Sequence, residues 1–141
     1  MDEQQFQIFY STGMEHYQFI ELHLEGIYAQ LSGKQFCDGL QDVGRDGLYR
    51  IIRKIQEQEK ITGVQVFSNE EYKELDVINQ RRNFWVHSFW TELVFDCTTG
   101  LPKKIMDMQK LQQDVQKASS MRKNLYDKYI ELLQEYDKTM I

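Results

Sequence analysis

The segment "RRNFWVHSFW", residues 81–90, sets Arg81, Arg82, Asn83 and His87 among five large apolar side chains. A guanidinium offers a planar fork of donors that can hold two phosphoryl oxygens at once. An imidazole titrates near neutrality and can take or give a proton. A carboxamide can orient either group or donate to an anion. Together these side chains suit acid–base work on an oxyanion.

On a helical wheel of about 100° per residue, Arg82 falls in the middle of an apolar stripe. Ile78 and Phe89 lie on one side of it, Leu75, Leu93 and Val86 on the other. Arg81 points about 100° away, toward a polar flank, and reads as solvated. Asn83 and His87 are one turn apart at the stripe's edge, near Trp90 and Val94. Burying an unpaired guanidinium is prohibitively costly, so Arg82 needs a partner. Either a carboxylate of another helix or a ligand from outside would serve. Phe84, with Val77 and Phe95, forms a second apolar side roughly opposite Arg82, as ordinary packing between two neighbours would require.

Four elements must position these residues. The first helix is expected over 4–32, where Phe6, Tyr10, Gly13, Tyr17, Ile20, Leu24, Ile27 and Leu31 alternate by four and three. Gly33 sits where a glycine cap belongs. A second helix is expected over 38–60, its first half weakened by Gly39, Gly44 and Gly47. The third opens with a capping box at Ser68 to Glu71 and runs to about Cys97. Gly100 and Pro102 punctuate, with Pro102 suited to the first turn of a fourth helix over 103–138. Its stripe is Ile105, Met108, Leu111, Val115, Ala118, Leu125, Tyr129, Leu132 and Tyr136. The expected fold is all-α, an antiparallel four-helix bundle in one domain spanning 1–141. Several helices are long for a compact monomer, which predicts a symmetric homodimer.

The composition agrees. The chain has 141 residues, one proline and 13% aromatic residues, enough for a single core rich in helix formers. No run of about 18 apolar residues exists, so no membrane span is expected. "MDEQQFQIFY" lacks the basic start and apolar core of a secretory signal. With only Cys37 and Cys97, free thiols in a reducing cytoplasm are the simplest expectation. The net charge is −5, yet residues 1–33 carry five acids and no lysine or arginine, leaving 17 acids and 17 bases in the rest. No basic face is advertised, so any nucleic acid would be held by a few well-placed cations.

Rival chemistries find little footing. A di-iron bundle needs inward Glu-x-x-His pairs, but Gly13, Ile20 and Phe84 stand three residues before the histidines. His16 and His23 lie two turns apart with no third ligand nearby, and read as surface or packing residues. No Walker or Rossmann glycine loop is present. No cofactor or metal is expected.

"Arg82-Asn83-Phe84-Trp85-Val86-His87" resembles the Arg-x(4–6)-His motif of the HEPN superfamily, where the arginine is often followed by a polar residue such as asparagine. The all-helical context with the motif on a late helix is similar too. The resemblance covers the domain in architecture and about six positions in residues. It implies a metal-independent endoribonuclease that dimerises so that two motifs face one cleft. Arg82, Asn83 and His87 would be the catalytic residues, RNA the substrate and an antitoxin protein a partner, as in toxin–antitoxin or anti-phage systems. Other members have lost catalysis and bind RNA, nucleotides or proteins. In one branch the motif continues as His-x-Tyr and the tyrosine is modified. Here it is His87-Ser88-Phe89, which has no hydroxyl to modify at that place.

Overall fold

The computed structural model describes residues 3–89, 94–95, 97–103 and 108–140. Trp90, Leu93 and Ile105 lie outside the described residues, as do the side chains of Val94, Phe95 and Tyr136. Among the described residues the chain is all-helical apart from one minimal strand pair. Helix α1 spans Glu3–Leu31, α2 Phe36–Val43, α3 Leu48–Thr62 and α4 Asn69–Asn83. A π-helical turn, Phe84–Ser88, continues α4. Strands β1, Val94–Phe95, and β2, Pro102–Lys103, pair antiparallel, and α5 spans Met108–Met140.

Helix α1 forms the centre. Its seam buries Phe6, Tyr17, Ile20, Leu24, Ile27 and Leu31 against α5 on one side and α2 and α3 on the other. Gly13 is the small residue of that seam, and a Cβ there would stand 2.9 Å from Val115 Cγ2. Helix α3 contributes Leu48, Ile51, Ile52 and Ile55, and α5 contributes Leu111, Ala118, Met121 and Leu125. Each fully buried aliphatic side chain stabilises the fold by about 1.5–3 kcal/mol. Helix α4 buries only Leu75 and Ile78 in this core, against α3 and α5, with Tyr72 packed partly against it.

The expected second helix is two. Helix α2 ends at Gly44, and α3 starts only after Gly47, whose extended backbone serves as its N-cap. The glycines do not merely weaken this stretch; they end one helix and begin another. Lys54 staples the break, reaching Asp46 Oδ2 at 2.7 Å and donating to the Asp42 carbonyl at 2.8 Å. Gly63 closes α3 in the left-handed region, φ 74°, its N–H donating to the Glu59 carbonyl at 2.9 Å.

The third and fourth helices also need correction. Residues 94–95 are extended, so α4 and its π turn do not run on to Cys97. Pro102 lies in β2 rather than opening a helix, opposite Phe95. Proline is tolerated in a strand at an edge, and this two-stranded ladder is all edge. Cys37 and Cys97 are free and exposed. Among the described residues, no helix is long and apolar enough to cross a membrane.

Candidate active site

The segment carrying the motif starts from a well-made helix. The Ser68 hydroxyl accepts from Glu71 N–H at 3.2 Å, and the Glu71 carboxylate accepts from Ser68 N–H at 3.1 Å, the expected capping box. Glu71 is also held by Lys128 of α5 at 2.9 Å, which ties the start of α4 to the last helix.

The regular helix gives way at the motif. Phe89 N–H bonds the Phe84 carbonyl, five residues back instead of four. That releases the Trp85 carbonyl from Phe89, and the Tyr10 hydroxyl of α1 donates to it at 2.9 Å. The wider turn leans on an aromatic cluster. Phe6 and Phe89 stand 5.4 Å apart between ring centroids, Trp85 and Phe89 5.3 Å. π turns inside α-helices are frequent at functional sites. On a regular α-helix Arg82 and His87 would be about 140° apart. A turn that takes an extra residue moves positions five apart toward one side.

Arg81 departs from the place the wheel gives it, whereas Arg82 has one of the partners expected for it, a carboxylate of another helix. Arg81, which the wheel puts in solvent, is the arginine with the buried partner. Its Nε donates to Asp114 Oδ2 at 2.7 Å, and the Trp85 indole N–H donates to the same oxygen at 2.8 Å. Asp114 is only 2% exposed. Lys110 Nζ stands 3.6 Å from its other oxygen. The Arg81 guanidinium also covers the Phe84 ring at 4.7 Å. Burial, and then the Asp114 charge, push the neighbouring Tyr17 hydroxyl far above its ordinary range, partly opposed by Arg81.

Arg82 lies at the edge of the core, not in its middle. Its Nη2 is 3.3 Å from Glu21 Oε1 of α1, with both side chains about a quarter exposed. Its Nη1 donates to Asn83 Oδ1 at 3.3 Å. Asn83 and His87 are exposed. So Arg82 and Asn83 meet directly, while His87 lies on the same segment, open to solvent. Phe84 is partly buried against the core and Val77 is 44% exposed, so Val77 is not covered within this chain.

Comparison with protein-family models, curated proteins and solved structures finds no match. The site therefore stands on its own chemistry. Arg82 brings a cation that solvent can reach, Asn83 an amide whose nitrogen is left to donate, and His87 a ring able to exchange protons. Glu21 and Asp114 are the residues that sequence reasoning missed. Asp114 was legible as an acid in the α5 stripe, three residues after Leu111 and four before Ala118. Glu21 sits beside Ile20 on α1, and only the helix arrangement pairs it with Arg82. Among the described residues, no cluster of three or more histidine, cysteine or acidic side chains is placed to hold a metal.

Proposed function

We propose that this chain is a HEPN-type, metal-independent endoribonuclease, acting as a symmetric dimer of antiparallel four-helix bundles. One observation carries the reading. Arg81, Trp85 and Phe89 anchor the segment inward, while Asn83 and His87 are exposed and Arg82 is within reach of solvent. Two such segments in one cleft would make a complete site. One His87 accepts the proton of an RNA 2′-OH as that oxygen bonds to the adjacent phosphorus. The bond from phosphorus to the 5′ oxygen breaks, and the partner's His87 protonates the leaving oxygen. Arg82 and Asn83 stabilise the charge on the phosphoryl oxygens. The products are a 2′,3′-cyclic phosphate and a 5′-hydroxyl. An antitoxin protein covering this cleft would restrain the activity.

For this chemistry the phosphate must displace Glu21 from Arg82. An ion pair between partly exposed side chains is worth only about 0–1 kcal/mol, so a phosphate dianion or diester in a bidentate grip can compete. The same ion pair favours a second reading, in which Arg82 is already neutralised by its own chain and the domain is a non-catalytic helical module that binds a partner.

The test uses purified protein with single-stranded RNA in excess EDTA, beside the His87→Ala and Arg82→Ala variants. Wild-type protein is expected to release cyclic-phosphate ends and to leave single-stranded DNA intact, with both variants inactive. Equal cleavage by all three means a contaminating nuclease. No cleavage by any of them supports the binding module.

A further inference from the structure

A second cleft lies between α1 and α5. It has a volume of about 470 Å³ and is lined by His16, Phe19, His23, Ser119, Arg122, Lys123 and Tyr126. None of these seven is acidic, in a chain whose net charge is −5. On α1, Phe19 and His23 point about 160–200° away from Glu21, so this cleft and the Arg82 site use different sides of the helix.

The side chains are arranged as donors over aromatic walls. The Arg122 guanidinium carbon stands over Phe19, 3.8 Å from the ring centre. Its Nη1 is 3.2 Å from His16 Nδ1. A guanidinium can only donate, so that ring nitrogen must accept, and the His16 proton belongs on Nε2. His16 is then neutral and its remaining ring nitrogen is a donor. Burial first, and the Arg122 charge second, hold both imidazoles below the ordinary histidine range. Glu15, on the rim and 60% exposed, approaches Arg122 at 3.5 Å. Tyr126, about half exposed, stands edge-on to His23 at 5.7 Å, and Phe19 and His23 are 6.0 Å apart. Two cations, a neutral imidazole donor and a hydroxyl suit a doubly charged oxyanion. With one face of Phe19 taken by Arg122, the exposed Tyr126 ring beside these groups suits a planar ring attached to the anion.

We infer that the α1–α5 cleft binds a small phosphate monoester bearing a planar ring, its phosphate on Arg122, Lys123 and Ser119 and its ring against Tyr126. The inference is independent of the ribonuclease reading, because its test involves no RNA cleavage. Phenyl phosphate is titrated into the intact protein by calorimetry and by NMR of the histidine ring protons, beside inorganic phosphate and phenol. Phenyl phosphate is expected to bind about tenfold more tightly than inorganic phosphate and to shift the His16 and His23 signals. Phenol alone should not bind measurably. Lys123→Ala and Tyr126→Ala remove exposed side chains and should each weaken phenyl phosphate about tenfold without unfolding the protein. Absence of binding overturns the inference. So does binding that neither variant changes, or equal affinity for inorganic phosphate.

Discussion

The indole N–H of Trp85 donates to Asp114 at 2.8 Å, on the same carboxylate oxygen that Arg81 holds at 2.7 Å. Through this oxygen the last helix fixes the segment that carries Arg82, Asn83 and His87. A carboxylate removed from water needs both donors, since its desolvation is otherwise uncompensated.

Asp114→Ala should therefore destabilise the protein by about 3 kcal/mol or more, by leaving the Arg81 charge and the Trp85 N–H without their acceptor. Asp114→Asn keeps an oxygen in place and should cost about 1–2 kcal/mol. The double change Arg81→Met with Asp114→Leu should cost less than the sum of its parts, because no lone charge remains buried. Urea denaturation of wild type, Asp114→Ala, Asp114→Asn, the single changes Arg81→Met and Asp114→Leu, and their double measures this. Additive losses would mean that the pair does not act as a unit.

How much of this was legible varies with the element. The seam of α1 follows from its spacing alone, because a long regular helix packed along one side obeys the 3.6-residue period. The capping box at Ser68 was equally plain, being a local pattern. The anchoring of Arg81 on Asp114 and the edge position of Arg82 were not. A wheel assumes one continuous α-helix inside a surrounding core, whereas α4 buries only Leu75 and Ile78 and then widens into a π turn. Arg82 is consequently at an edge facing Glu21, and the acceptor for Arg81 comes from 33 residues away. Pro102 was misread for a similar reason. Proline is compatible with both a helix start and an edge strand, and the choice is made by pairing with Phe95.

Glu21→Gln separates the two functional readings. If Arg82 grips phosphate, removing the neighbouring carboxylate takes away a competitor and a like-charge repulsion, so RNA should bind about three- to tenfold more tightly. Stability should fall by no more than about 1 kcal/mol, as for a partly exposed ion pair. Fluorescence anisotropy with a labelled single strand, on the cleavage-impaired His87→Ala background, reads the affinity. Unchanged affinity would assign Arg82 to holding α1 and α4 together.

Tyr10→Phe tests the π turn. The change deletes one hydroxyl and leaves the aromatic contacts with Phe6 and Phe89 in place. The Trp85 carbonyl loses its 2.9 Å donor. The expected cost is about 0.5–1.5 kcal/mol. Hydrogen exchange should quicken at Phe84 to Phe89 more than in α3, since opening there becomes easier. If His87 depends on this turn for its place, RNA cleavage should drop more than stability does. Uniform loss of protection across the chain would show that Tyr10 supports only the general packing.

Acid should expose the other anchor of α4. Burial is the largest single influence on Glu71 and pushes its pKa up, but bonds from Lys128, the Ser68 N–H and Asn124 together hold it below the ordinary glutamate value. A carboxyl with a depressed folded pKa stabilises the fold above its unfolded pKa, near about 4.3 for glutamate. That contribution disappears as pH falls through the folded value. Glu71→Gln should thus cost about 1 kcal/mol at neutral pH, from the lost Lys128 pair and a weakened capping box. The gap between the two proteins should narrow as pH drops below about 4. Urea melts at pH 7 and at pH 3 measure it. A gap that stays constant over that range would mean that the Glu71 charge contributes nothing and that only the shape of its hydrogen bonds matters.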